Sequence, residues 1–134
     1  MTASNAQAID TIYASFATGD LEGVLSVMDD SVVWLHPGTK AEIPFAGEFK
    51  GPEGVREFFS IAFSSIDVVE QDVFSTVSEG DQVLVLGRER MRVKATGKEY
   101  DSNWIHAYTL RDGKVVRFEE YIDTAQLKDA FAPD

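Results

Sequence analysis

Four residues of this chain have the types and spacing to move protons: Glu120, Glu89, His106 and His36. A carboxyl group held among apolar side chains titrates closer to neutrality than one in water, and an imidazole already titrates there, so the set suits general acid–base chemistry. Whether the four can meet depends on the strands that carry them. The runs Trp104-Ile105-His106-Ala107-Tyr108-Thr109-Leu110 and Lys114-Val115-Val116-Arg117-Phe118-Glu119-Glu120-Tyr121-Ile122 flank Asp112-Gly113, which predicts a β-hairpin. A two-residue loop would place Arg117 and Glu119 on the face of Trp104, His106, Tyr108 and Leu110. A three-residue loop, Arg111-Asp112-Gly113 with Gly113 at positive φ, moves the register by one and brings Val116, Phe118, Glu120 and Ile122 to that face instead. The apolar pattern selects the three-residue loop. Glu120 is then the one carboxylate on an otherwise apolar inner face.

The preceding strand follows the same logic. With Thr96-Gly97 as a two-residue loop, Val93 faces Tyr100 and Glu89 faces Trp104, so Val83, Val85, Glu89, Met91 and Val93 join the inner face while Arg88, Arg90 and Arg92 point outward. Glu89 and Glu120 are expected to flank Trp104 from its two neighbouring strands, with backbones roughly 10 Å apart. His106 is their diagonal neighbour.

Other elements must close over these strands. Ser4 or Asn5 caps a first helix with Ile9, Ile12, Tyr13 and Phe16 on one side, ending at Gly19. Asp20 caps a short second helix with Leu21, Val24, Leu25 and Met28 inward, broken by Asp29-Asp30. Ser31 to His36 reads as a strand with Trp34 and His36 on one face, closed by Pro37-Gly38. Residues 39–51 have no clean period and read as a loop; Ile43, Phe45 and Phe49 make it apolar enough to cover a pocket mouth. Pro52 opens a third helix whose stripe of Val55, Phe58, Phe59, Ala62, Phe63 and Ile66 must lie on a large apolar surface. That surface is the sheet, which starts with a strand from Asp67 to Ser78 and a turn at Glu79-Gly80-Asp81; Thr124 to Phe131 forms a last short helix.

The fold class expected is α+β: one domain over residues 1–134, a curved antiparallel sheet with three helices on its concave face, a cone-shaped half-barrel of cystatin-like type. A chain of 134 residues with 44% hydrophobic content can bury a substantial core. Its formal net charge of -11 repels nucleic acid and anionic membrane surfaces, and neither is expected as a partner. It has no cysteine, hence no disulfide framework and no thiolate metal site. Two histidines without a spacing motif are thin grounds for a metal, and none is expected. The first residues carry no basic, apolar leader, which makes the cytoplasm the expected location.

The order of elements, with Phe16-Ala17-Thr18-Gly19-Asp20-Leu21-Glu22-Gly23-Val24, Asp29-Asp30-Ser31-Val32-Val33, Gly51-Pro52-Glu53-Gly54-Val55-Arg56-Glu57-Phe58-Phe59 and Asp112 to Asp123, resembles the nuclear transport factor 2-like superfamily. Its SnoaL-like group is the nearest in pattern, beside ketosteroid isomerases and limonene epoxide hydrolases. The resemblance implies a cone with an interior cavity and places His36, before Pro37, where the isomerases carry their aspartate base. It places His106 where they carry the oxyanion-binding aspartate, and Ile12, one residue from Tyr13, where they carry a tyrosine. The acids of the epoxide hydrolases fall on Glu89 and Glu120, and their bridging arginine falls on Gly87. Burial of the outer face around Leu84, Leu86, Ile105 and Ala107 in a homodimer is usual in the resembled family.

Together these readings predict a cofactor-free isomerase, cyclase or hydrolase working on a small, largely apolar, oxygen-bearing molecule. Glu120 and Glu89 would exchange protons, and His106 and His36 would orient or polarise the substrate. Trp104, Trp34, Tyr108, Phe118, Ile122, Tyr13 and Phe59 would line its pocket. The alternative is a binding or dimerisation module in which these polar groups only satisfy one another.

Overall fold

The structure, a computed structural model, describes residues 1–134. Ten elements follow in order: α1 (Ala3–Thr18), α2 (Leu21–Leu25), β1 (Met28–His36), β2 (Gly47–Lys50), α3 (Gly51–Ser65), β3 (Ile66–Glu79), β4 (Gln82–Val93), β5 (Glu99–Arg111), β6 (Lys114–Ile122) and α4 (Thr124–Phe131). The strands form one sheet in the order β2-β1-β6-β5-β4-β3. Its pairings are antiparallel except that of β1 with β6, which run parallel. The expected class is the one found, with α4 as a fourth helix.

Several local expectations are corrected. Thr2, not Ser4 or Asn5, caps α1, its side chain accepting from the Asn5 amide at 3.1 Å. Asn5 is instead buried and clamps two turns: its Nδ2 donates to Asp81 Oδ1 at 3.3 Å, and its Oδ1 accepts from the Gly113 amide at 3.0 Å. Met28 belongs to β1 rather than to α2, so that strand starts three residues before Ser31. The segment 39–51 is not all loop, because Gly47–Lys50 pairs with β1 and buries Phe49 beside Ile43 and Phe45. Phe63 of α3 is half exposed, since α3 packs mainly on β1 and β2 and leaves β3 largely uncovered.

The hairpins show how the inner face survives wrong loop lengths. Between β5 and β6 the turn is two residues: Arg111 pairs with Lys114, and Asp112 and Gly113 have φ of 52° and 76°, the doubly positive form favoured in tight hairpins. A bulge at Val116, past the Leu110–Val115 pair, then inserts one residue and restores the face of Phe118, Glu120 and Ile122. Val115, not Val116, is therefore the fully buried one. Between β4 and β5 the loop is longer than Thr96-Gly97: Val93 and Lys98 bracket four residues, and the register moves by two. A shift of two keeps every side chain on its face but changes its partner. Glu89 lies opposite Ser102, not Trp104, and Trp104 lies opposite Gly87.

Candidate active site

The register lines up three titratable residues across three adjacent strands. His106 of β5 pairs with Glu120 of β6, and the parallel pairing of Leu35 with Glu119 brings His36 of β1 to the other side of Glu120. All three are buried. His106 Nε2 stands 3.5 Å from Glu120 Oε1, and His36 Nε2 stands 3.8 Å from Glu120 Oε2. These are close charge contacts rather than short hydrogen bonds, and such contacts tighten when a substrate completes a site. The imidazoles approach different oxygens from opposite sides, and no three His, Asp or Glu side chains gather around a point that would hold a metal ion.

The outer nitrogens of the two rings are held differently. His36 Nδ1 lies 2.9 Å from the Pro37 carbonyl, which only accepts, so Nδ1 carries a proton and Nε2 is the ring nitrogen turned toward Glu120. His106 Nδ1 lies 2.8 Å from Tyr13 Oη, which is also 2.9 Å from Tyr108 Oη. With His106 Nε2 directed at Glu120, the chain of Tyr108, Tyr13 and His106 Nδ1 ties the ring to two phenols. Burial, first of all, raises the pKa values of Tyr13 and Tyr108, so both phenols stay protonated donors at neutral pH.

The two glutamates are driven apart. Burial pushes Glu120 up, but the hydrogen-bonding and charge of His106, with the charge of His36, outweigh it and hold the group below the ordinary carboxylate range. Burial and then the charge of Glu120 push Glu89 up to about 8, against a smaller pull from the Tyr100 hydroxyl, which donates to Glu89 Oε2 at 3.1 Å. At neutral pH Glu120 is a carboxylate and Glu89 a carboxylic acid: a base and an acid in one interior. The expected spacing of roughly 10 Å is corrected by the register, since two strands and four residues separate them, roughly 16 Å on a flat sheet. Glu89 still feels the charge of Glu120.

The expected pocket walls are packed against one another. Trp34 stacks on Phe118 with ring centroids 3.8 Å apart, and Trp104 stacks on His106 at 3.7 Å. Phe59 lies 5.5 Å from Trp34; Tyr13 and Ile122 are only partly buried. The indole N–H groups of Trp34 and Trp104 are fully occluded and have no acceptor. Gly87 explains how Trp104 fits: a Cβ there would collide with the indole ring and with the Asp72 carbonyl oxygen, so close approach demands glycine. The position where the resemblance implies an arginine is thus filled by Trp104's own ring.

The interior is closed on its open side by α4 and the 39–46 segment. Phe45 meets His36 edge to face at 4.9 Å, and Phe131 meets Phe45 at 5.7 Å. Lys128 of α4 binds Glu42 at 3.0 Å, and Thr96 Oγ1 donates to the Ala130 carbonyl at 2.7 Å. The prominent concavity lies elsewhere, an open groove of about 770 Å³ on the outer face, with Phe74, Leu86, Arg88, Asn103, Ile105 and Tyr121 in its lining. It contains none of the four expected catalytic residues. Tyr100 and Ser102 were not among the expected site residues. Both fall on the inner-face alternation of β5, and extending that alternation below Trp104 would have found them.

The profile of the SnoaL-like domain matches residues 9–118. The chain belongs to the SnoaL-like family, within the NTF2-like superfamily. Among solved structures it is similar to an NTF2-like protein, BXE_B1094, from Burkholderia xenovorans LB400, at 30% identity over 98% of each chain with a TM-score of 0.86. It is similar to an NTF2-like protein of unknown function from Burkholderia pseudomallei K96243, at 24% identity over 98% of this chain and 99% of that one, TM-score 0.88. It is also similar to TerC co-crystallised with polyporic acid, at 28% identity over 96% of this chain and 98% of that one, TM-score 0.82. Comparison with curated proteins finds no match. No helix of this SnoaL-like chain is long and apolar enough to cross a membrane.

Proposed function

We propose that this SnoaL-like protein is a cofactor-free isomerase, cyclase or hydrolase that works by general acid–base catalysis on a small, largely apolar, oxygen-bearing molecule. The observation that carries this reading is a pair of buried carboxyl groups in unlike settings, Glu120 between His36 and His106 and Glu89 against the Tyr100 hydroxyl. Glu120, ionised between His36 and His106, takes a proton from the substrate or from a water. Glu89, protonated, delivers a proton to a substrate oxygen. The likeness to TerC, co-crystallised with polyporic acid, supports an aromatic, oxygen-rich ligand.

The test is Glu120→Gln against wild type on a substrate found by screening aromatic and cyclic oxygenated compounds. Turnover is expected to fall by at least about a hundredfold with folding intact; an unchanged rate rejects the assignment. A second reading, a non-catalytic ligand-binding or dimerising module, is favoured by the exposed apolar side chains of the outer face, Phe74, Leu84, Ile105 and Tyr121. Those side chains support a homodimer through that face. Native mass spectrometry separates the readings: a dimer releasing an unaltered co-purified molecule, with no turnover in the screen, favours the module.

A further inference from the structure

We propose that Tyr100 is the positioning residue of the acid, assigning the proton of Glu89 to Oε1 and aiming it at the substrate. The inference rests on the acid role proposed for Glu89 and adds a residue that role needs. Tyr100 lies in β5 opposite Met91, one inner-face step from Glu89, and only 3% of it is exposed. Its hydroxyl donates to Glu89 Oε2 at 3.1 Å and has no other partner.

A neutral carboxyl group has one oxygen that accepts and one that carries the proton. With the phenol donating to Oε2, that oxygen is the acceptor and Oε1 is the one left to bear the hydrogen. Oε1 makes no hydrogen bond of its own. It is also absent from the fully occluded unpartnered side-chain atoms, which are Trp34 Nε1, Arg90 Nε and Trp104 Nε1. The proton is therefore on the oxygen that the protein leaves without a partner.

In the step, the Oε1–H bond breaks and the substrate oxygen takes the proton. The electron pair stays on Glu89 and spreads over both oxygens, where the Tyr100 hydroxyl stabilises the new charge on Oε2. Glu120 takes one proton from the substrate or water in the same turnover, so the protein's charge is unchanged, and proton return from Glu120 to Glu89 through solvent resets the pair.

Few groups compete with this contact. Glu89 faces Tyr100 from β5 and feels Glu120 from β6, while β3 presents the uncharged Gln71 opposite it. The neighbouring Arg88 and Arg90 of its own strand turn to the outer face and bind Glu70, Asp72, Asp101 and Glu99.

The experiment is Tyr100→Phe in the full chain, followed by NMR titration of ¹³C-carboxyl-labelled glutamates with the Glu89 signal assigned through Glu89→Gln. Removing the phenol should move the Glu89 midpoint up by about one pH unit, a tenfold loss of acidity. With a turned-over substrate, kcat should fall about tenfold at constant KM, and the alkaline limb of the rate profile should shift up with the midpoint. A folded variant whose Glu89 titrates as in wild type overturns the proposal. Should the variant not fold, the wild type still decides. A slowly exchanging tyrosine hydroxyl proton that shifts as Glu89 ionises supports the contact, and none that follows Glu89 overturns it. The titration needs no substrate, so it can succeed even if Glu89→Gln keeps full turnover, the result that would defeat the acid role itself.

Discussion

Replacing Glu89 by Gln should make this protein more stable at neutral and alkaline pH while removing its acid. The magnitude follows from burial. The group titrates near 4.5 when unperturbed and at about 8 in the fold. Below about pH 4.5 folded and unfolded chains both hold the proton, and the site contributes no penalty. Between the two values the folded state keeps a proton that the unfolded state has released, so each unit of rising pH favours unfolding by about 1.4 kcal/mol. Above about 8 both states are ionised and the whole penalty is present, about 3–5 kcal/mol, a large part of a small domain's stability. Gln copies the shape of the neutral acid and keeps an acceptor for Tyr100, but it never ionises. The assay is urea unfolding of both proteins at pH 5, 7 and 9, read by fluorescence of the two tryptophans, both in the core. The stability difference in favour of the variant should grow by about 3 kcal/mol or more between pH 5 and pH 9. The general rise of repulsion in a chain of charge -11 cancels in the difference. A difference that stays flat across that range refutes the claim that Glu89 is held neutral.

Two further outcomes follow from the same packing. Gly87→Ala should lower stability by about 2–4 kcal/mol, seen as a fall in Tm, because the added methyl meets both the Trp104 ring and the Asp72 carbonyl oxygen; a change under about 0.5 kcal/mol would mean that the indole does not lie there. Tyr13→Phe removes the hydroxyl shared by His106 and Tyr108 and should cost about 1–3 kcal/mol in chemical denaturation, with a displaced ¹⁵N resonance of His106 Nδ1; an unmoved resonance would refute the contact.

Much of this site was legible in the sequence because β-strand side chains alternate with a period of two. The alternation of Trp104, His106, Tyr108, Phe118 and Glu120 assigned an inner face that the coordinates retain, even though both hairpin loops differ in length from those expected. Errors of one residue at the turn were absorbed by a bulge at Val116, and an error of two at the β4–β5 loop preserved parity. The helices followed their apolar stripes, with α1 ending at Gly19 where φ is 70°.

What alternation cannot supply is partnership across strands. That His36 and His106 close on opposite oxygens of one carboxylate depends on the parallel docking of β1 against β6, a contact between residues more than eighty apart in the chain. That Glu89 is paired with Tyr100, and that Gly87 yields its space to Trp104, depends on a register set by loop geometry rather than by hydrophobic pattern. Local propensity determined which residues face inward; only the assembled sheet decided which of them touch, and proton transfer depends on touch.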